Sequence, residues 1–260
     1  MKEALDRLRL PRGAGVLAAV SGGADSTALA LLLADAAPAR ALRPALAHGA
    51  HGMRPAEDPA DRDAVAALAR RLGIPFRHAA LDPAPRTETE ARRMRYAALA
   101  RLAADAGCAF VATGHTADDQ AETVLWNLLR GAGLRGMAGI PPRRRIRGTD
   151  VAVVRPLLAL PREDLRTFLR ARRVSWREDA TNDSDRFTRN RIRRTLLPML
   201  ESFRPGAAAR LARLAREARQ ARGLLDRLAR VALPDPTVPS LPAALLRSVH
   251  PAVRRAILRR

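Results

Sequence analysis

Residues Ser21-Gly22-Gly23-Ala24-Asp25-Ser26 follow a short apolar run and precede a run of Ala and Leu. Two adjacent glycines let successive backbone N–H groups turn toward an anion. A helix that starts there adds the positive end of its dipole. Ser21, Ser26 and Thr27 add hydroxyl donors. The chemistry this suits is the holding of phosphate groups. No Gly-Lys-Ser/Thr follows the glycines, so the segment is not a Walker A loop.

A second group is Gly114-His115-Thr116-Ala117-Asp118-Asp119-Gln120-Ala121-Glu122-Thr123, after the apolar run Ala109–Thr113. Thr116 is placed to cap a helix, and Asp119 and Glu122 then lie one turn apart on one side. Two carboxylates at the mouth of a phosphate site can hold Mg²⁺, bind an ammonium group or take a proton from one. Asp118 is accounted for by the helix dipole alone. Farther back, His48 and His51 have a spacing open to metal ligation, but no carboxylate or Cys group lies beside them. A His or Arg facing a nucleotide, with His51 and Arg54 as the candidates, is the better reading. Arg92, Arg95 and Tyr96 share one face of a further helix by spacing.

The elements that must position these groups alternate. Strands are expected at Val16–Val20, Leu42–Ala47, Phe76–Leu81, Ala109–Thr113 and Val151–Val154. Helices are expected at Thr27–Ala36, Pro59–Leu72, Thr87–Ala106 and Ala117–Leu129. That order predicts an α/β fold, a Rossmann-like parallel sheet with helices on both faces. Ligands of such sheets sit beyond the carboxyl ends of the strands, where both chemical segments fall.

Residues 131–149 begin with Gly131, Gly133, Gly136 and Gly139, followed by Pro141-Pro142-Arg143-Arg144-Arg145, which reads as a mobile basic loop. A helix is expected from Pro161 to about Arg173, and helical periodicity resumes near Asn190. Over Ala207–Ala232, residues Leu211, Leu214, Ala218, Ala221, Leu225 and Leu228 form one apolar stripe for packing. Four prolines precede a last basic helix, Ala243–Arg260. The division expected is a catalytic domain over 1–200 and a smaller, all-helical region over 201–260.

The chain of 260 residues carries a formal net charge of +21, and Lys2 is its only lysine. An arginine excess of this size favours a polyanionic partner such as RNA. Cys108 is the only cysteine, which excludes a disulfide framework or a Cys-x-x-Cys pair. The N-terminus has no signal-peptide core and no apolar run is long enough to span a membrane, so a cytoplasmic location is expected.

Taken together the motifs resemble the tRNA(Ile)-lysidine synthetase family of ATP pyrophosphatases, and the Ser21–Ser26 loop resembles that superfamily's pyrophosphate loop. The resemblance rests on six segments in order. They are Ser21–Ser26, His51–Arg54, Glu90–Tyr96, His115–Met137, Arg155–Leu158, and Glu178–Asp183 with Phe187–Arg193. It implies an adenine nucleotide alpha hydrolase type of fold. It also implies a two-step reaction in which the O2 of a wobble cytosine attacks the α-phosphate of ATP and free L-lysine then displaces AMP. The partner implied is tRNA(Ile) with a CAU anticodon; a homodimer is possible for such an enzyme.

By the same resemblance Ser21, Gly22, Gly23, Ala24, Asp25, Ser26, His51 and Arg54 are expected at ATP. Asp25, Arg95, His115, Asp119 and Glu122 are expected in catalysis, with Asp25 and Asp119 as Mg²⁺ ligands. Arg143, Arg144, Arg145, Arg189, Asn190, Arg191 and Arg193 are expected on tRNA, with Arg186 a further backbone contact. Members often carry further C-terminal tRNA-binding domains, of which Leu241–Arg260 looks like only the start. The chain is then either a compact version or part of a longer one. A tRNA thiolase of the same superfamily is the nearest alternative, and the lone Cys108 argues against it. A non-catalytic RNA-binding module would have no need of His115, Asp119 and Glu122 as a set.

Overall fold

The computed structural model describes residues 2–49, 58–79, 87–177, 188–235, 238, 240–241 and 243–259. Helix α1 (Lys2–Arg7) leads into β1 (Gly15–Ala19), α2 (Ala24–Arg40), β2 (Arg43–Gly49), α3 (Asp58–Leu72) and β3 (Phe76–Ala79). The chain then forms α4 (Glu88–Asp105), β4 (Phe110–Thr113), α5 (Ala117–Leu129) and the single turn α6 (Leu134–Met137). β5 (Arg143–Arg145), β6 (Ala152–Val154) and α7 (Arg162–Ala171) complete the α/β part.

Strand order is β3-β2-β1-β4-β6-β5. All neighbours are parallel except β5, which runs antiparallel to β6. The strands read as apolar runs because both faces are covered. Val16, Ala18 and Val20 enter one core with Phe110, Ala112, Ala152 and Val154, beneath α2, α3 and α7. The residues between them, Leu17, Val111 and Val153, enter a second core against Tyr96, Leu99 and Ala103 of α4. The alternation is the two-residue period of a strand.

The chain builds outward from β1 to β3, then crosses back to β4 on the other side of β1. That reversal makes the carboxyl ends of β1 and β4 a topological switch point, where crevices form in open α/β sheets. Ala19 is in register with Thr113, so the residues that follow, Val20–Ser26 and Gly114–Asp119, emerge side by side.

Three sequence expectations change. The mobile loop expected over 131–149 contains α6 and β5. Three successive arginines show no apolar alternation, so periodicity missed the strand. Backbone pairing to β6 makes it, and charged side chains suit an exposed edge. Arg143 and Arg144 stack over the rings of Phe110 and Tyr96, each 5.0 Å from the centroid. Second, α2 starts three residues before Thr27, so Ala24, Asp25 and Ser26 form its first turn. Third, the last basic helix is two, α11 (Ala243–Ser248) and α12 (Pro251–Ile257): Pro251 has no amide to continue α11 and sits at the start of α12.

Between these parts lie α8 (Thr188–Arg191), a π-helical stretch (Ile192–Leu196), α9 (Leu197–Phe203) and the long α10 (Ala207–Ala232). Ile192, Leu197 and Ala208 pack on Ala121 and Leu125 of α5. On α10 the buried residues are Ala208, Ala215, Ala218 and Ala229. Of the predicted stripe, Leu214 and Leu228 are exposed. Leu211 joins Ala208 against α5, while Ala229 packs with Val253 and Ile257 of α12. Among the described residues no helix is long and apolar enough to cross a membrane.

Gly114 permits the tightest part of the switch point. A Cβ there would sit 3.1 Å from the Asp25 carbonyl and the Ser26 amide nitrogen, both backbone atoms that cannot swing away. Gly114→Ala is therefore expected to cost about 1–3 kcal/mol, read as a lower urea midpoint at unchanged slope. An unchanged midpoint would show that the two segments are not held together.

Candidate active site at the carboxyl ends of β1 and β4

The glycine loop is shaped by its own hydroxyls. Gly22 takes φ +87°, a region that favours glycine. Ser26 Oγ donates to Gly23 O at 3.0 Å and accepts from the Ser21 amide at 3.1 Å. Thr27 Oγ1 donates to Gly22 O at 3.3 Å. These hydroxyls, expected as phosphate donors, are used within the loop. Gly23 caps α2 without a side-chain bond, and Thr27 N donates to Gly23 O. The amides of Ala24, Asp25 and Ser26 are then the first-turn donors that the helix itself leaves unused. Outside the loop, Arg177 N donates to Gly22 O at 3.0 Å, and Arg177 Nε meets Asp61 at 2.7 Å. A cavity of 320 Å³ opens beside Gly22, walled by Val20, Leu68, Trp176 and Arg177.

Facing the loop is a cluster of acids and arginines. Thr116 and Asp119 form a capping box at the start of α5. That fixes Asp119 at 8% exposure and turns Glu122, one turn on, fully inward at 0%. Buried charges need partners. Arg162 Nε binds Asp25 Oδ2 at 3.0 Å, and Arg162 Nη2 lies 3.4 Å from Asp119 Oδ1. Arg189 Nε and Arg193 Nε reach the two oxygens of Glu122 at 2.9 and 2.6 Å. The same two arginines lie 3.3 and 3.5 Å from Asp119 Oδ1. Arg193 belongs to the π-helical stretch, an irregularity often found at functional sites.

Burial opposes charge on Asp119, but Arg162, His115 and the Thr116 amide outweigh it and hold the carboxyl below the usual range. On Asp25 burial wins over Arg162, and its pKa is raised. Burial also lowers His115 to about 4, with Asp119 opposing and nearby arginines assisting. His115 is uncharged at neutral pH and shares a hydrogen bond with Thr113 Oγ1 at 2.9 Å. It can orient a group by hydrogen bonding, but carries no positive charge to a phosphate.

The structure brings together Ser21–Ser26, Asp25, His115, Asp119, Glu122, Arg189 and Arg193. Arg95 is half-buried on α4. Arg143–Arg145 and Arg191 are exposed, and Asn190 is half-buried. His51, Arg54 and Arg186 lie outside the described residues, as does the segment 178–187. His48, next to last in β2, is fully buried, with Nδ1 3.1 Å from Val20 O and its ring stacked on His78. Asp118 complements more than its own helix: its Oδ2 accepts from the Arg162 amide at 2.7 Å and so caps α7.

Sequence reasoning missed Arg162. The signal was present, because a cation at the first position of a helix opposes the dipole and needs another purpose. It also gave no role to Arg155, which is buried and donates to Pro141 O at 2.6 Å and to Tyr96 Oη at 3.4 Å. Nor did it find the clasp on the loop over 138–142. Gln120 pairs with Ile140 through both its amide atoms, and Arg219 of α10 donates to Ala138 O and Ile140 O at 2.8 and 2.9 Å.

Among the described residues, no three of His, Cys, Asp and Glu gather as a metal site. A magnesium ion bound with phosphates needs only one or two protein carboxylates. Asp25 Oδ1 is buried without a hydrogen-bond partner, and Asp119 is close enough to raise the Asp25 pKa. The residues present therefore fit such an ion.

Residues 2–200 match the family described as PP-loop domain. A tRNA(Ile)-lysidine synthase of Thermus thermophilus is 44% identical over 263 residues, covering 97% of this chain and 49% of the relative. That of Symbiobacterium thermophilum is 46% identical over 210 residues, covering 75% and 43%. The chain thus spans about half the length of the curated relatives it matches. Among solved structures, the U34-tRNA thiolase NcsA of Methanococcus maripaludis superposes with a TM-score of 0.68 at 19% identity, over 83% of this chain and 76% of that one. A likeness at that identity speaks to the fold alone.

The titrations give a test. The His115 value in the fold, about 4, lies below its ordinary 6.5. The unfolded chain then binds a proton that the fold does not. This group's contribution to stability is full above pH 6.5 and is lost as pH falls toward 4. Asp119, held below 3.8, loses its contribution only at still lower pH. His115→Gln is expected to flatten the fall in unfolding free energy between pH 6.5 and 4, measured by denaturant titration. Equal slopes in the two proteins would mean that His115 is not held neutral.

Proposed function

This chain belongs to the PP-loop domain family, and from that premise we propose that it is the ATP-using part of a tRNA(Ile)-lysidine synthetase. The observation that carries the reading is the open N-terminus of α2 set against Asp25, Asp119 and Glu122 at the switch point. A phosphate cradle beside two buried acids suits phosphoryl chemistry followed by handling of an amine. The relatives' names support the same reading.

In the first step the cytosine O2 bonds to the ATP α-phosphorus and pyrophosphate leaves. The amides of Ala24–Ser26 hold the departing phosphates, and the helix dipole stabilises their charge. Asp25 and Asp119 would hold Mg²⁺, which would supply neutralisation of that charge. In the second step the lysine ε-nitrogen bonds to C2 and AMP leaves. A lysine amine has a pKa near ~10.4, so it must lose a proton before attack. Asp119 and Glu122 bind the ammonium and take that proton. Lysine reaching them takes over a carboxylate that Arg189 or Arg193 holds in this structure. Arg95 stabilises phosphate from α4; His51 and Arg54 complete the nucleotide contacts.

The exposed arginines Arg143–Arg145 and Arg191 meet the RNA backbone, which makes binding fall steeply with added salt. The proposed boundary between the catalytic unit and the helical RNA-binding region is about residue 200, and the end of the family match there supports it. The buried Cys108 offers no sulfur carrier for a thiolase.

The test is pyrophosphate release from ATP, with lysine incorporation into tRNA as a second readout. Release is expected to need tRNA, and incorporation to need both. Asp119→Ala is expected to lower incorporation by at least about a hundredfold. Full activity in that variant would remove Asp119 from the mechanism.

A further inference from the structure

A second cavity, of 270 Å³, lies on the far side of α5, between α1, the segment after β6 and α10. Its floor is apolar, formed by Leu8, Pro156 and Leu158. Among the described residues, every charged one that lines it is an arginine: Arg155, Arg213, Arg216 and Arg219. Glu217, 3.6 Å from Arg213, is not part of the lining. Arg213, Arg216 and Arg219 fall three apart on α10, on one face with Ala209 and Ala212.

Like charges gathered around an apolar floor repel one another until an anion joins them. The floor, walled by two prolines, is shaped for a flat apolar group. A nucleotide joins a flat ring to an anion at short range, and it is the ligand of that kind that an RNA substrate supplies. An acidic peptide would satisfy the arginines and leave the floor uncovered. A free phosphate would do the same.

We infer that this cavity takes one unpaired nucleotide of the RNA substrate, base on the proline–leucine floor and phosphate on Arg213 and Arg216. The inference rests on the reading that the substrate is RNA. The cavity shares Gln120 and Arg155 with the clasp on residues 138–142. A nucleotide seated there therefore braces α5, the helix that carries Asp119 and Glu122. Unpaired bases are the usual targets of sequence-specific RNA recognition, and guanidinium planes serve as stacking platforms.

The test measures binding of unmodified tRNA to the full 260-residue chain by fluorescence anisotropy. Ala212→Trp fills the cavity and changes no charge. Arg213→Ala with Arg216→Ala removes exposed cations and leaves the apolar packing intact. Arg227→Ala, farther along α10, controls for bulk charge. Thermal unfolding of each variant checks the fold. The cavity variant and the double variant are each expected to weaken binding about tenfold, the effect of losing roughly one stacked base. The control is expected to change it less than about threefold, as one phosphate contact among several. If the folded double variant matches the control, or the folded Ala212→Trp binds as the unsubstituted chain does, the cavity takes no nucleotide. Those outcomes leave the RNA reading standing, whereas failure of the unsubstituted chain to bind tRNA would overturn that reading itself.

Discussion

Glu122 is a fully buried carboxylate, and the active end of the molecule is arranged around the need to neutralise it. An unpaired charge at that depth would cost several kcal/mol. Two arginines from a separate stretch of chain meet its two oxygens, so α8 and the π-helical turn must lie against α5. Removing either acid or arginine alone would leave its partner stranded, which is why such a pair resists piecemeal change. Arg162 extends the network to Asp25 and ties the glycine loop to α7. Asp118 returns the contact by capping α7. Three distant segments are thus held at one place by charge, on a site that the sheet topology had already made a crevice.

Much of this was legible in the sequence, and the reasons differ by element. The core strands could be read because burial on both faces leaves mainly Val, Leu, Ala and Phe there. The capping box at Thr116 and Asp119 could be read because its chemistry is local. β5 could not, since its arginines have no apolar pattern and the strand exists through its partner. The contacts of Arg189 and Arg193 with Glu122 span about seventy residues, and spacing carries no information at that range. Exposed RNA contacts and buried ion pairs use the same residue type, so an arginine-rich segment does not announce which of its members turn inward. His48 shows the converse: it looks like a ligand and is a buried strand residue bonded to a backbone carbonyl.

The C-terminal helices meet the α/β part through apolar packing and through Arg219. Ala208 and Leu211 of α10 pack on α5, and Arg219 holds two carbonyls of the loop that Gln120 also grips. Whatever moves α10 therefore acts on α5, and through it on Asp119 and Glu122. On the proposal that α10 meets RNA, its place on the back of the helix that carries the acids gives docking a physical route to the chemistry.

The most direct measurement is a crystal structure with an ATP analogue whose α–β bridge cannot be cleaved. The expected result is phosphate oxygens within hydrogen-bond reach of the Ala24, Asp25 and Ser26 amides, with the α-phosphorus turned toward Asp119 and Glu122. A triphosphate bound away from residues 21–26 would contradict the reading of this switch point as the catalytic centre.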